Sequence, residues 1–126
     1  MVAIYDLDPE SILKMAQVDL AGLTAEPESP IGSFSFHGCT GGVGAFKGRP
    51  PWEMHGGGDE LLFVLAGESE LTVLEAEDRE VRTLGPGQLA IVPQGRWHSN
   101  NASSGVTMLF ITPDEGNEHS RVEPRL

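Results

Sequence analysis

The sequence has few cysteines and few basic residues, and each shortage excludes a class of protein. Its one cysteine, Cys39, rules out an internal disulfide, so the fold does not depend on an oxidising compartment. Eight Lys and Arg residues against 19 Asp and Glu residues give a formal net charge of -11 at pH 7. Because nucleic acids and anionic membrane surfaces both attract clustered basic side chains, this charge predicts that neither is a partner.

Long hydrophobic runs are also absent. The longest apolar run, residues 61–66, is far shorter than the ~20 residues that a membrane-spanning helix needs. Residues 1–10 carry three acidic residues and no basic cluster, which is unlike a secretory signal peptide. We therefore expect a cytoplasmic protein.

Glycine and proline, in contrast, are abundant, with 16 Gly and 9 Pro among 126 residues. Frequent tight turns in a short chain favour an all-β fold. Short strand patterns separated by turn residues support this fold, at residues 33–37, 43–46, 52–55, 61–65, 70–74, 81–84, 89–92 and 106–112. They predict a sandwich or barrel over residues 31–113, followed by a loose polar tail at residues 114–126.

Residues 1–30 predict a short helix and a loop that pack on the barrel. Asp8 suits the N-cap and Pro9 the first helical position. The apolar stripe of this helix consists of Ile12, Leu13 and Ala16.

Three of the predicted strands are apolar on both faces, at residues 61–65, 89–92 and 108–111. A continuous apolar run indicates a strand that is covered on both sides, whereas alternation would leave one side in water. One face fills the barrel, and the short helix is too small to cover the other. We therefore expect a homodimer that packs sheet on sheet.

Four acidic and histidine side chains are placed to form a pocket for a divalent metal. Glu53 and His55 are two residues apart, so on a strand they point to the same side. Glu60 follows a glycine turn, and His98 follows a second turn farther along the chain. Imidazole suits Zn, Fe, Ni or Cu, while carboxylates shift the preference toward Mn or Fe.

These residues carry a resemblance to the cupin family. The first cupin motif is matched by Glu53-Met-His55, four further residues, Glu60, six residues and Gly67. The second is matched by Gly87, five residues, Pro93-Gln-Gly95, two residues and His98. The resemblance implies a double-stranded β-helix, or jelly-roll barrel, in which His55, Glu60 and His98 are metal ligands.

The chain departs from the cupin pattern at three positions. Glu53 stands where the family usually has its first His, so the resemblance makes it a substituted fourth ligand. Ala102 stands at the usual Asn, and Gly48 is one position later than the usual Gly.

Two functions follow from this resemblance. The first is a metal-dependent enzyme, holding Mn, Fe, Ni or Zn, that acts on a small organic molecule as a dioxygenase, an isomerase or a decarboxylase. In such an enzyme Glu53 would be either a ligand or a catalytic general base. The second is a metal-free cupin that binds a small molecule or regulates without turnover, because one fold hosts many functions.

Several neighbouring residues have plainer interpretations. Asp59 is expected to be a turn residue, with the alternative that it exchanges roles with the next carboxylate. His37 either lines the pocket or ends a strand, and His119 is expected to be solvated in the tail. Trp52 and Trp97 are expected to pack in the core or at the dimer contact.

Overall fold

The computed structural model describes residues 2–5, 7, 18–20 and 33–124. Regular structure in these segments is all strand. The strands are β1 (Val18–Leu20), β2 (Phe34–Phe36), β3 (Cys39–Gly48), β4 (Trp52–His55), β5 (Glu60–Gly67), β6 (Ser69–Leu74), β7 (Arg79–Leu84), β8 (Leu89–Val92), β9 (His98–Pro113) and β10 (Asn117–Ser120). The predicted all-β class is confirmed.

The predicted N-terminal helix, at residues 8–16, lies outside the described residues, and the described part of the chain contains no helix to support it. For the same part of the chain, no helical segment is found that would be suited to crossing a membrane.

The long strand β9 joins two sheets into one curled barrel. Its C-terminal half pairs with β3 and β5, so that Ile111 lies between Gly41 and Leu61. Its N-terminal half pairs with β4 and β6, so that His98 lies between Glu53 and Val73. The remaining strands extend these pairs, with β8 on β5, β7 on β6, β10 on β4, and both β1 and β2 on β3. All these pairs are antiparallel except β1 with β3.

The alternation of β5 separates the barrel interior from its outside. Glu60, Leu62 and Val64 are buried, whereas the residues between them are only half-buried, as the two-residue period of a strand requires. The inward apolar side chains form one cluster, here called the apolar core: Phe46, Leu62, Val64, Leu71, Val73, Leu84, Val92, Ala102, Val106 and Met108. A register shift after Val64 takes Ala66 out of this cluster, although the sequence pattern places it on the same face.

The outer face of the barrel is less covered than the sequence predicts. Leu89 is 55% exposed and Ile91 is 52% exposed in the single chain, although their apolar run predicts a strand covered on both sides. In β2, Phe36 is 56% exposed as well, although it lies two residues from Phe34 on the same side of the strand. Phe34, in contrast, packs with its ring over Gly41. A side chain at position 41 would collide with this ring.

The segment after Pro113 is not the loose tail that the sequence predicts. Residues 117–120 form β10, which pairs with β4 along its whole length. The turn into β10 requires glycine, because Gly116 has a φ of 76° and an added Cβ would lie 2.9 Å from the nitrogen of Gly57. The nitrogen of Gly56 donates to the carbonyl of Gly116 at 2.8 Å. These contacts fold the C-terminal segment back beside β4.

Candidate metal centre

The structure brings together Glu53, His55, Glu60 and His98, here called the four-donor cluster. One ligand atom from each side chain lies within 4.8 Å of the others. His98 Nε2 is 2.9 Å from Glu60 Oε1, and His55 Nε2 is 3.1 Å from Glu60 Oε2. Glu53 Oε2 lies 3.4 Å from His55 Nε2. The side chains that the sequence singled out thus converge from three strands on one point.

Two turns hold these strands in place. The backbone nitrogen of Gln94 donates to Asp59 Oδ1 at 2.8 Å, and its side-chain amide donates to the carbonyl of Gly56 at 2.6 Å. The nitrogen of Gly95 donates to the carbonyl of His55 at 2.9 Å. The proline–glycine turn before His98 is therefore fixed to the glycine turn after β4. Asp59 is exposed and belongs to this turn contact, not to the four-donor cluster.

Burial makes the charges of the cluster dependent on one another. Glu60 is 3% exposed, and its Oε2 also accepts a hydrogen bond from the hydroxyl of Thr112 at 2.6 Å. Burial by itself raises the pKa of Glu60, but the closely placed imidazoles of His55 and His98 outweigh it and lower the pKa to about 2. Burial likewise opposes a charge on His55, but Glu53 and Glu60 outweigh it and raise its pKa to about 10.

Hydrogen bonds outside the cluster fix which nitrogen of each imidazole faces inward. The Asn117 amide donates to the carbonyl of Pro113 at 2.8 Å, which leaves its Oδ1 2.8 Å from His55 Nδ1. Because Oδ1 only accepts, His55 Nδ1 carries the proton. His98 Nδ1 similarly donates to the carbonyl of Arg96 at 3.2 Å. Both Nε2 atoms therefore point at the carboxylates, the orientation that metal-ligating histidines take.

The donor chemistry fits a divalent metal ion. The buried Nε2 of His55 makes no well-formed hydrogen bond, although two carboxylates flank it. If His55 is neutral, the lone pair of Nε2 faces the lone pairs of the carboxylate oxygens, which is unfavourable. Either an extra proton on Nε2 or a cation among the four donors removes this repulsion. Two imidazoles and two carboxylates suit Mn, Fe, Ni or Zn.

A cavity of about 310 Å³ opens onto the four-donor cluster. Its apolar wall includes Leu62, Met108 and Phe110, and its polar side includes Asn117 and His119. These last two side chains reach the cavity because Asn117 pairs with His55 and His119 with Glu53 across the β4–β10 ladder.

Sequence reasoning missed Asn117 and assigned His119 to solvent. His119 is about half exposed, but its Nε2 lies 3.6 Å from Glu53 Oε1 at the cavity. The signal that could have found them is the two-residue spacing of Asn117 and His119, which matches that of Glu53 and His55.

The other sequence candidates lie away from the cluster. His37 occupies a turn with a φ of 48° and packs edge-on against Phe36, so it does not line the cavity. Trp52 is 3% exposed and packs within the chain, so it cannot form a dimer contact, whereas Trp97 is half-buried.

The curled barrel and its inward His and Glu side chains define the class of a β-barrel with a candidate metal site. A sequence profile of the cupin domain family (Cupin_2) matches residues 45–112, just over half of the chain. The chain belongs to this family. No curated protein matches the sequence.

Solved structures agree with this assignment at the level of the fold. Protein NMB1881 from Neisseria meningitidis is 19% identical with a TM-score of 0.62, over 86% of this chain and 99% of its own. A cupin-2 domain containing protein from Shewanella frigidimarina is 18% identical with a TM-score of 0.57, over 82% of this chain and 89% of its own.

A larger protein with a similar fold is oxalate decarboxylase from Bacillus subtilis, which is described with Mn(II) centres. It is 14% identical with a TM-score of 0.57, and the match covers 64% of this chain but only 23% of the decarboxylase chain. This similarity shows a shared fold.

Proposed function

We propose that this cupin binds one divalent metal ion at the four-donor cluster and binds or transforms a small organic molecule in the adjoining cavity. The observation that carries this proposal is the buried Nε2 of His55, which faces two carboxylates without a well-formed hydrogen bond. A divalent ion bound there would satisfy both imidazoles and both carboxylates at once.

The side chains at the cavity have different roles in this proposal. His55, Glu60 and His98 are nearly fully buried and serve as ligands, held in orientation by Asn117 and the carbonyl of Arg96. The bound ion would act as a Lewis acid on an oxygen of the substrate.

Glu53 has two alternative roles. It is 24% exposed, lies on the cavity and also lies near His119, so it can be either the fourth ligand or a general base. Either role is compatible with a dioxygenase, an isomerase or a decarboxylase. The Mn(II) centres of the Bacillus subtilis oxalate decarboxylase make Mn the first ion to test, with Fe, Ni and Zn next.

A second candidate function is metal-free binding of a small molecule or regulation without turnover. The observation that favours it is the pair of carboxylates at 3.4 Å and 3.1 Å from His55 Nε2, which raise the pKa of His55 to about 10 despite burial. A protonated His55 satisfies the same carboxylates as a metal ion, so the cluster can persist as an ion-paired lining of the cavity.

Metal analysis of protein purified without chelator distinguishes the two functions. We expect about one equivalent of Mn, Fe, Ni or Zn per chain, lost in both His55→Ala and His98→Ala because each removes one of the few ligands. His37→Ala is the matched control, since its imidazole lies in a turn away from the cavity. Metal-free wild-type protein that still binds a small molecule would establish the second function instead.

We also propose that the protein is cytoplasmic and that it forms a homodimer, packed through the outer face that carries Leu89 and Ile91. The support is that these two apolar side chains are exposed in the single chain, on a strand, β8, that is apolar throughout. Light scattering at micromolar concentration should give twice the chain mass of 13.5 kDa, and Ile91→Lys should give the single-chain mass. A 13.5 kDa wild-type species would contradict the dimer.

A further inference from the structure

The charge of the four-donor cluster bears on the molecule that the cavity accepts. When a divalent ion is bound to their Nε2 atoms, His55 and His98 are neutral imidazoles, and the charge of the ligands is the two negative charges of Glu53 and Glu60. A divalent ion held by these four side chains is therefore balanced in charge. A ligand approaching that ion meets a site with no net positive charge.

The rest of the cavity adds negative charge and apolar surface. Asp114, whose carboxylate accepts a hydrogen bond from the hydroxyl of Thr40, lies on the cavity wall. Leu62, Met108 and Phe110 supply an apolar side. Within residues 33–124, none of the side chains that line the cavity belongs to Lys or Arg.

We propose that this cavity selects small uncharged or cationic molecules and rejects anions such as carboxylates. The inference rests on the metal-binding role proposed above and adds the substrate class, which favours a dioxygenase or an isomerase over a decarboxylase because a decarboxylase acts on a carboxylate. An anion would lose its hydration on entering and gain no net attraction from the site, because Glu53 and Glu60 balance the charge of the ion, while the carboxylate of Asp114 would repel it. A neutral ligand places one oxygen or nitrogen toward the cluster and its apolar part against Leu62 and Phe110.

The test compares a neutral and an anionic probe on the protein loaded with Co²⁺. The visible absorption of Co²⁺ reports how much of the ion is bound to the protein. The change in this absorption on titration reports the binding of imidazole, the neutral probe, or of azide, the anionic probe. The titrations are made at about pH 8, where free imidazole is mostly neutral. The variants are Glu53→Gln, which keeps an oxygen for the ion but removes one charge, and Asp114→Asn, which leaves the four-donor cluster untouched. Glu118→Gln is the matched control, because it removes one charge from β10 outside the cavity lining.

The quantity to compare is the azide affinity divided by the imidazole affinity. We expect this ratio to rise about tenfold or more in Glu53→Gln, since a unit charge a few Å away acts strongly in a partly buried site. It should rise roughly two- to threefold in Asp114→Asn, whose charge is exposed and screened, and stay at the wild-type value in Glu118→Gln.

Two negative results have different meanings. A ratio that is the same in wild-type, Glu53→Gln and Asp114→Asn proteins, all loaded with Co²⁺, would overturn the charge selectivity and leave the metal-binding role intact. Failure of the wild-type protein to bind Co²⁺ would overturn the metal-binding role, and the selectivity with it.

Discussion

Two buried clusters share the interior of this barrel and differ in what burial does for them. In the apolar core, Val106 is 0% exposed, and in the four-donor cluster His98 is 1% exposed. Burying a side chain such as Val106 stabilises the fold by about 1.5–3 kcal/mol, whereas burying an ionisable group costs free energy unless it gains partners. Strand β5 contributes to both clusters on one face, with Glu60 at its start and Val64 deeper in. The comparison shows that the two-residue period of a strand decides which side chains face the interior. The type of each residue then decides whether it belongs to the apolar core or to the four-donor cluster.

The largest expected effect comes from breaking the apolar core. Leu71 is 5% exposed and does not line the cavity. Leu71→Ala should lower the free energy of unfolding by about 2–5 kcal/mol, because it removes buried methyl groups and leaves a void. Urea denaturation measures this loss, and the folded variant should bind as many equivalents of metal as the wild type. A loss of metal from the folded variant would show that the two clusters are not independent.

A smaller effect is expected from loosening the four-donor cluster without touching its ligands. Asn117→Ala removes the acceptor that holds His55 Nδ1, so affinity for Mn²⁺ should fall by about 10- to 100-fold with little change in stability. Isothermal titration of metal-free protein measures this loss, with Glu118→Ala on the same strand as control. Equal Mn²⁺ affinity in Asn117→Ala and wild type would mean that His55 is oriented by other contacts.

The smallest expected effect is a pH dependence that belongs to the four-donor cluster alone. Because the pKa of Glu60 is lowered from 4.5 to about 2, its contribution to stability is complete above pH 4.5 and is lost as the pH falls toward 2. Because the pKa of His55 is raised from 6.5 to about 10, its contribution is complete below pH 6.5 and is lost as the pH rises toward 10.

Metal-free protein should therefore be most stable between about pH 4.5 and 6.5, and the contribution of this cluster to stability should fall on either side of that range. Denaturation curves across the pH range measure this profile. Leu71→Ala should lower the whole profile without changing its shape, and Glu60→Gln should flatten the acid side. An unchanged acid side in Glu60→Gln would show that other carboxylates control it.

The parts of the fold that the sequence predicts well are bounded by strong local signals. The predicted strands at residues 52–55 and 89–92 match β4 and β8, because proline and glycine turns bracket each one. The strand at residues 43–46 is predicted too short, since β3 extends over Cys39–Gly48. The glycines in this segment disfavour a strand, which is why its start is not predicted. Gly41 is required there because the ring of Phe34 lies on it, and local sequence does not reveal that contact.

The strand β9 illustrates pairing that overrides local sequence. Residues 106–112 have a strand pattern, but β9 begins at His98 and includes residues 99–104, which are polar except for Ala102. The first of these residues are extended because β6 pairs with residues 98–101 and Gly48 of β3 pairs with Ala102.

The candidate site, like the fold, has one part that local sequence predicts and one part that depends on strand pairing. Motif spacing is a local property of the chain, and it is enough to single out all four members of the four-donor cluster. The contact between Asn117 and His55 joins residues 62 positions apart through the β4–β10 ladder, so the spacing of Asn117 and His119 can single out these residues but not the strand that they pair with.

Because the chain turns back at Gly116, the access of water to the four-donor cluster depends on the short strand β10. If the polypeptide were cut after Pro113, His55 would lose its Asn117 partner and the flank of Glu53 would be open to bulk water. Cupins that carry the same two motifs but lack this strand would then exchange a bound ion faster, although their ligands are the same. The lifetime of the ion would be set by a segment that contributes none of the four donors.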